Sequence, residues 1–174
     1  EYDYIKNSIY KTYLACDAVS EEILLSHHYR CNEKIIAFNN QKYYNNKLVI
    51  NSQSQADTPL IFKNIAGNTT NYKNTAPREA EEIIEFIKDN PDKSIGVITP
   101  FTNQKELIHA MLQENGMKDV PCGTVHAFQG DEKDVVLFSL ALTEQTGQGT
   151  YDWLKNNKEL INVATSRAKE QLVI

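Results

Sequence analysis

An arginine near the C-terminus lies where an apolar residue is expected. If the stretch "INVATSRAKE" forms one helix, Arg167 is at position i+7 of a face whose other members are apolar. Those members, at i, i+3 and i+4, are Leu160, Val163 and Ala164. An arginine near a helix C-terminus often compensates the helix dipole, but Lys169, which is off this face, could do so equally well. A guanidinium directed inward or into an interface needs an anion, so Arg167 is a candidate phosphate ligand.

A second candidate is Arg30, which follows Tyr29 between an apolar pair and a predicted helix. An exposed Tyr-Arg pair is usually an ordinary part of the surface. It could also stack on a base through the ring and bind phosphate through the guanidinium. The neighbouring His27 and His28 do not predict a metal site. Adjacent histidines in a strand point to opposite faces, and no carboxylate or thiol shares their register.

The segment "GTVHAFQGDEKDVVLFSL" contains a charged turn around Gly130. By composition alone, the favoured interpretation is a solvated, hairpin-like connection between two strands. The alternative is a ligand-binding loop, in which Glu132 accepts hydrogen bonds from a ribose while Thr124 and His126 contact a phosphate backbone. The chain has no Walker A sequence, no G-x-G-x-x-G and no G-x-S-x-G. It therefore has candidate phosphate-binding arginines but no phosphate loop.

Length and charge limit the classes of function. A chain of 174 residues suits one domain, residues 1–174, whose first 20 residues are a weakly patterned lead-in. The net charge of -5 argues against nucleic-acid binding through bulk charge, but it leaves room for a local basic groove. The three cysteines have no zinc-binding spacing and favour a reducing cytoplasm.

Targeting signals are not visible in the sequence. The longest apolar run, Val135 to Leu142 with Ser139 inside it, is too short to span a membrane. The first residues, "EYDYIKNSIYK", contain no apolar signal-peptide core. We therefore expect a cytoplasmic protein with no membrane partner. The chain starts without Met and ends on the apolar "QLVI", which predicts a fragment of a longer protein.

Apolar patterns predict alternating strands and helices. The predicted strands are "PLIFKNIA", "SIGVITP", "GTVHAF", "DVVLFSLAL" and "QLVI", and the predicted helices are "NEKIIAFNNQKYY", "PREAEEIIEFIKDNP", "NQKELIHAMLQENG" and "INVATSRAKE". Asn103 and Glu106 have the spacing of a capping box, and Gly116 is a helix stop. The segment "TEQTGQGTYDW" is expected to be flexible. Strands that are apolar on both faces predict an α/β fold with a covered parallel sheet, whose ligands bind at the carboxyl ends of the strands.

Four segments, taken in order, resemble the second RecA-like domain of superfamily 1 helicases. The segments are "LSHHYRCNEKIIAFNNQKYYNNKL", "SIGVITPFTNQKELI", "GTVHAFQGDEKDVVLFSLAL" and "ELINVATSRAKEQLVI". The last three resemble motifs IV, V and VI. The resemblance covers roughly residues 20–174 and is closest to the branch with the nonsense-mediated-decay RNA helicase and its DNA-acting relatives. It implies a RecA-like, P-loop NTPase-like domain of three layers, with a mostly parallel sheet and no Walker A loop of its own.

The resemblance also implies roles for individual residues in a nucleotide site. Tyr29 resembles the tyrosine that stacks on adenine, and Arg30 the arginine that reaches the γ-phosphate. Gly130 and Glu132 resemble the motif V pair beside the nucleotide, with Glu132 on the ribose. Arg167 resembles the motif VI arginine finger. The implied ligand is ATP with Mg²⁺, and the metal is expected to be held mainly by an N-terminal RecA-like domain outside this chain.

A second set of residues is implied in binding nucleic acid. Thr99, Pro100, Thr124 and His126 match positions that contact the backbone of single-stranded DNA or RNA, and Gln129 matches part of the network that couples nucleotide to nucleic acid. The implied activity is ATP-dependent helicase action by the full-length protein, with the isolated fragment inactive. Departures from the family motifs, such as "CNE" after Tyr-Arg and "TSR" in motif VI, leave the type of nucleic acid and the polarity open.

Two other functions remain as alternatives. The main one is a non-catalytic RecA-like scaffold that binds nucleic acid or protein; Walker A and B sequences upstream would distinguish the motor from this scaffold. The other is a self-contained α/β enzyme that uses His126 as a base, for which the chain offers no nucleophile or cofactor loop.

Overall fold

Five parallel strands form the central sheet. The structure, a computed structural model, describes residues 9–16, 23–54, 56–66, 74–128 and 131–174. The strands are β3 (Leu60–Ile61), β4 (Ile95–Thr99), β5 (Cys122–Thr124), β6 (Lys133–Phe138) and β7 (Ala168–Val173), in the order β3-β7-β6-β4-β5. Every neighbouring pair is parallel. Two short parallel strands, β1 (His27–His28) and β2 (Val49–Ile50), form a separate sheet. The predicted α/β class is confirmed.

Helices cover both faces of the sheet. The described helices are α1 (Ile9–Cys16), α2 (Glu33–Tyr43), α3 (Pro77–Asp89), α4 (Thr102–Glu114), α5 (Gln148–Asn156) and α6 (Lys158–Thr165). Alternate strand residues face opposite sides, so Ile98 and Val136 pack with α2 and α6, whereas Val97 and Val135 pack with α3 and α4. The domain therefore has three layers.

Local sequence signals set several helix ends. Asn32 caps α2 by accepting a hydrogen bond from the Lys34 N–H (3.0 Å), and Pro77 opens α3 as predicted. Gly116 ends α4 with φ of 75°, and the Met117 N–H donates to the Leu112 carbonyl at 2.8 Å, as in a Schellman motif.

The predicted capping box of α4 is wrong. The helix begins at Thr102, and Phe101 occupies the N-cap position without a side-chain hydrogen bond. Phe101 is buried with Ala141 and Leu154, so packing of this ring, rather than a polar cap, fixes where the helix starts.

The segment that carries Arg167 is shorter as a helix than predicted. Helix α6 ends at Thr165, and β7 begins already at Ala168, whose partner in β6 is Lys133. Arg167 is therefore in the turn between helix and strand, and the assumption that it shares a helical face with Leu160 is wrong. Sheet pairing begins here three residues before the "QLVI" strand that hydrophobicity predicts.

Three further segments differ from the predictions. The segment expected to be flexible contains α5, which buries Thr150 and Leu154 at i and i+4. Strand β6 ends at Phe138, before the predicted end at Leu142, and Ala141 in the following turn has φ of 48°. The hairpin-like connection between β5 and β6 is excluded, because β4 lies between these two parallel strands.

Candidate functional site

Two cationic side chains contact one carboxylate at the amino ends of β6 and β7, and Arg167 lies close enough to feel its charge. Arg30 Nε lies 2.5 Å from Glu132 Oε2, and Lys169 Nζ lies 3.1 Å from Glu132 Oε1. Arg30 also donates from Nη1 to the Ser166 carbonyl at 3.3 Å. Through its contacts with Glu132 and Ser166, Arg30 joins the Tyr-Arg segment to motif V and to motif VI, although the three segments are far apart in sequence. We call Arg30, Glu132, Arg167 and Lys169 the basic cluster.

Arg167 is half-buried and held by neutral oxygen atoms. Its Nε donates to the Val163 carbonyl at 3.1 Å, and Nη1 donates to the Asp131 carbonyl at 3.4 Å. Its Nη2 is 3.5 Å from Ser166 Oγ. Because these partners carry no formal charge, the guanidinium is oriented by the turn while its charge remains available to an anion.

The electrostatics of the cluster favour binding of an anion. The hydrogen bond from Lys169 is the main cause of a lowered pKa for Glu132; slight burial opposes it and the charge of Arg30 adds to it. Burial, and then the charge of Arg30, lower the pKa of Arg167. The three cations of the cluster outnumber its one carboxylate, Glu132, so the cluster carries a net positive charge, which the nearby carboxylate of Asp131 offsets in part.

Cys31 lies beneath the cluster as a buried thiol. Its Sγ contacts the Ser166 carbonyl at 3.4 Å, and its side chain is fully enclosed. Burial raises the pKa of Cys31 to about 12, against the opposing charges of Arg30 and Arg167. The thiol is therefore protonated and serves as packing.

Tyr29 is placed as an open aromatic surface beside the cluster. Its side chain is 67% exposed, and its ring lies 6.1 Å from the His27 ring in a nearly parallel arrangement. An exposed ring held by a neighbouring ring is available to stack on a base. Gln129 and Gly130, which were also predicted for this region, are outside the described residues.

The predicted nucleic-acid residues lie where the strands end, on the side opposite to the basic cluster. We call this side the carboxyl edge of the sheet and the side of the basic cluster its amino edge. Thr99 and Thr124 are paired residues at the carboxyl ends of β4 and β5. Pro100 is half-buried and His126 is exposed. The prediction that ligands bind at the carboxyl ends of the strands does not extend to Glu132, because Glu132 precedes β6 at its amino end.

Thr99 is the one member of this set whose side chain is enclosed. It is 0% exposed, and its hydroxyl accepts a hydrogen bond from the Phe101 N–H at 3.3 Å. This placement argues against direct contact of the Thr99 side chain with nucleic acid. Its role here is to shape the turn after β4.

The chain between β5 and β6 connects the two edges across one face of the sheet. Phe128 lies in this connection and is 3% exposed. A Cβ at Gly96 would lie 2.9 Å from the Phe128 ring, and one at Gly123 would lie 3.1 Å from it. The two glycines therefore make room for the ring, which ties the connection to β4 and β5.

Two residues of the sites were missed by sequence reasoning. Lys169 was considered only as a partner of the helix dipole, and its contact with Glu132 required the pairing of β6 with β7. Gln104 is 0% exposed; it donates to the Ala76 carbonyl (3.3 Å) and Ser139 Oγ (2.9 Å) and accepts from the Ala76 N–H (2.8 Å). A glutamine that directly follows the first residue of a predicted helix was a weak signal for such a buried junction.

Neither a metal-binding group nor a membrane-spanning helix is found in the described part of the chain. Within it, no three or more His, Cys, Asp or Glu side chains are grouped to hold a metal ion. No helix there has the length and apolar character needed to cross a membrane.

Comparison with known proteins identifies the family. A family model described as an AAA domain matches residues 5–174. The chain belongs to this family. The domain is 29% identical to an uncharacterized ATP-dependent helicase of Methanocaldococcus jannaschii, over 87% of the chain and 26% of the relative. It is 31% identical to the DNA polymerase alpha-associated DNA helicase A of Saccharomyces cerevisiae, over 84% of the chain and 26% of the relative.

A third relative and a solved structure agree with this assignment. The ATP-dependent helicase upf1 of Schizosaccharomyces pombe is 31% identical over 69% of the chain and 14% of its own length. The fold resembles that of the C-terminal domain of a possible DNA helicase from Lactobacillus plantarum, with a TM-score of 0.52, 16% identity, and coverage of 83% and 84% of the two chains. The chain is thus an AAA-family domain with an α/β fold like that of a helicase domain, and it is similar in sequence to ATP-dependent helicases, in agreement with the family that the motifs predicted. It spans about a quarter or less of the length of these curated relatives.

Proposed function

We propose that this domain is the second motor domain of an ATP-dependent helicase or translocase. The observation that carries the proposal is that Arg167 lies within electrostatic reach of Arg30 and its paired carboxylate Glu132, in a domain without a phosphate loop of its own. Such a surface complements a nucleotide that a second domain holds. The N-terminal RecA-like domain of the longer protein is the proposed partner.

The basic cluster has the groups that a nucleoside triphosphate requires. Tyr29 offers a ring for the adenine, and Glu132 offers a carboxylate for the ribose hydroxyls, with Gly130 proposed beside it. Arg30 is proposed to bind the γ-phosphate after exchanging its partner Glu132 for phosphate oxygens. Mg²⁺ would be held mainly by the Walker residues of the partner domain.

Arg167 is proposed to act as the arginine finger. ATP supplies, when bound, the γ-phosphoryl group whose transfer to water drives the motion of the two domains. The guanidinium of Arg167 stabilises the charge that develops in the transition state, an effect worth about 10³–10⁵ in rate in related phosphoryl-transfer enzymes. The carbonyl groups of Val163 and Asp131 orient the side chain beforehand.

The opposite edge of the sheet is proposed to contact single-stranded DNA or RNA. Pro100, Thr124 and His126 offer surface groups there, and Thr99 shapes the turn beneath them. Gln129 is proposed to couple this edge to the nucleotide, since the connection from β5 to β6 joins the two. The alternative function is a scaffold that binds nucleic acid or protein without catalysis, and the ion pair between Arg30 and Glu132 is compatible with it.

The test is substitution of Arg167 in the longer ATPase. We expect Arg167→Ala to lower kcat by about 10³–10⁵ and to change KM for ATP little, because a finger acts mainly in the transition state. Arg167→Lys should rescue poorly, since an ammonium lacks the planar set of donors. Single-turnover hydrolysis measures both variants, and thermal melting reports their folding.

The matched control is Arg78→Ala on α3. Arg78 is an arginine with a 61% exposed side chain, and it is far from the basic cluster in sequence. We expect this variant to hydrolyse ATP at the unsubstituted rate. Near-normal hydrolysis by folded Arg167→Ala molecules would contradict the finger role and favour the scaffold.

A further inference from the structure

A groove of about 740 Å³ lies at the carboxyl edge, away from the basic cluster. Its described lining comes from the turn after β4, the start of α4, the segment before α3, and helix α5 with the residue before it. The lining residues are Asn74, Pro100, Phe101, Thr102, Asn103, Gly147, Gly149, Thr150 and Trp153. Clefts of about 300–1,000 Å³ are typical of sites for small ligands or single chemical groups. We call this the Trp153 groove.

Trp153 forms an aromatic surface in the groove. It is 42% exposed, and its ring lies 5.7 Å from the Phe101 ring at an angle of 39°. Phe101 is 8% exposed and belongs to a small buried cluster with Ala141 and Leu154. The buried ring supports the exposed one, so the indole is oriented before any ligand arrives, which lowers the entropy cost of binding.

The walls of the groove are also tied together. Thr150 is buried, and its hydroxyl donates to Asn74 Oδ1 at 3.3 Å, which joins α5 to the segment before α3. Asn74 has φ of 57°, a left-handed conformation that asparagine tolerates. The groove is thus a formed feature of the fold.

The chemistry of the lining selects the kind of ligand. Among the described lining residues none carries a formal charge; they offer rings, amides and hydroxyls. A phosphate group requires cations or directed N–H donors, whereas an unpaired base offers a π-face for stacking and an edge for hydrogen bonds. Pro100 belongs both to this groove and to the proposed nucleic-acid edge, so a strand on that edge passes the groove.

We infer that the Trp153 groove binds one unpaired base of a single-stranded nucleic acid, stacked on the indole of Trp153. The inference rests on the proposed nucleic-acid role of this edge. It adds a base contact to backbone contacts, and it accommodates any base because every base has a π-face.

The experiment uses the fact that the chain contains one tryptophan. With excitation that selects tryptophan over the nine tyrosines, the emission reports on the groove alone. We expect a short oligothymidylate to quench the fluorescence of the 174-residue chain to saturation. An abasic strand of the same length, which has the same phosphates but no bases, should leave the fluorescence nearly unchanged. Equal quenching by the abasic strand would overturn the inference.

Affinity for a labelled oligothymidylate, measured by fluorescence anisotropy, provides the second test. Trp153→Leu should weaken binding about tenfold, equivalent to about 1.4 kcal/mol and within the range for one stacked base. Trp153→Phe keeps a ring and should retain most of the affinity. The matched control is Tyr151→Leu, because Tyr151 is a ring of similar exposure (43%) on the same helix that does not line the groove.

The outcomes separate this inference from the proposed function. If Trp153→Leu binds as the unsubstituted chain does while His126→Ala binds more weakly, the edge binds nucleic acid but the base site is wrong. If the unsubstituted chain binds no strand, the nucleic-acid role and the base site fail together. Circular dichroism checks that each variant is folded, and the quenching of the unsubstituted chain stands as a test even if Trp153→Leu unfolds.

Discussion

At the residue scale, Glu132 is shared between two cations. Lys169 and Arg30 each contact a different oxygen of its carboxylate. All three side chains are more than a third exposed, so the pairs contribute little to the free energy of unfolding. Their contribution is positional, because Lys169 holds Glu132 beside Arg30 and fixes the shape of the basic cluster.

The pKa of Glu132 should therefore respond to Lys169. Since Lys169 is the main cause of the lowered pKa, we expect Lys169→Gln to raise the pKa of Glu132 toward its usual value. A carboxyl group whose pKa is lowered in the folded state stabilises the fold at pH values above its unfolded-state pKa of 4.5, and this stabilisation is lost as pH falls through the folded-state pKa. The substitution should therefore reduce the loss of folding free energy at acid pH. A carboxyl-carbon NMR titration measures the shift directly.

Lys105→Gln provides the matched control for this titration. Lys105 Nζ lies 2.6 Å from Glu106 Oε1 and lowers the pKa of Glu106 in the same way. The control substitution should raise the pKa of Glu106 and leave Glu132 unaffected. A Glu132 titration that does not change in Lys169→Gln would show that Lys169 does not hold this carboxylate.

At the element scale, a buried polar network joins α3, α4 and β6. Gln104 of α4 contacts the Ala76 backbone and the Ser139 hydroxyl. Ser139 Oγ in turn donates to Glu79 Oε2 at 2.7 Å, and the Ala141 N–H donates to the same oxygen at 2.9 Å. Burial raises the pKa of Glu79, and these two hydrogen bonds oppose the rise. The network fixes the turn after β6 that leads to the Trp153 groove.

Removal of the Gln104 amide should destabilise this junction. Gln104→Met keeps the length of the side chain but leaves the buried Ala76 N–H without its acceptor, so we expect a loss of about 1–3 kcal/mol in the free energy of unfolding. Urea denaturation measures the loss. Gln113→Met, at an exposed position of the same helix, is the control and should change stability little. Equal stability of the two variants would mean that the network does not support the fold.

At the scale of the whole molecule, the sheet separates two edges with different chemistry. The amino edge of β6 and β7 carries the basic cluster, and the carboxyl edge carries the proposed nucleic-acid surface. The chain segment between Thr124 and Lys133 leads from the carboxyl edge at β5 to the amino edge at β6. This arrangement suits a domain that responds to a nucleotide on one side and grips a strand on the other.

The isolated chain should not hydrolyse ATP. It provides arginines but no Walker A loop, so we expect no steady phosphate release with or without single-stranded DNA or RNA. A phosphate-release assay measures this, with the intact longer protein as the positive control. Steady turnover by the isolated chain that Arg167→Ala abolishes would contradict the division of roles between two domains.

The sequence by itself determined the parts of this domain that depend on local patterns. The apolar runs fixed β4 and β6, and the spacing of Ala80, Ile83, Ile84 and Ile87 fixed the buried face of α3. The order of the motifs was sufficient to predict the helicase family and the α/β class. These features follow from side-chain periodicity and backbone preference, which neighbouring residues set.

The tertiary structure decided what depends on partners distant in sequence. Pairing of Ala168 with Lys133 ended the predicted motif VI helix early and moved Arg167 into a turn. Insertion of β4 between β5 and β6 excluded a hairpin and placed the candidate sites on opposite edges. The contact of Lys169 with Glu132 and the support of Trp153 by Phe101 arise only when strands and helices from separate segments pack together. Hydrogen bonds between strands and burial against remote side chains set these features, and local sequence patterns do not encode them.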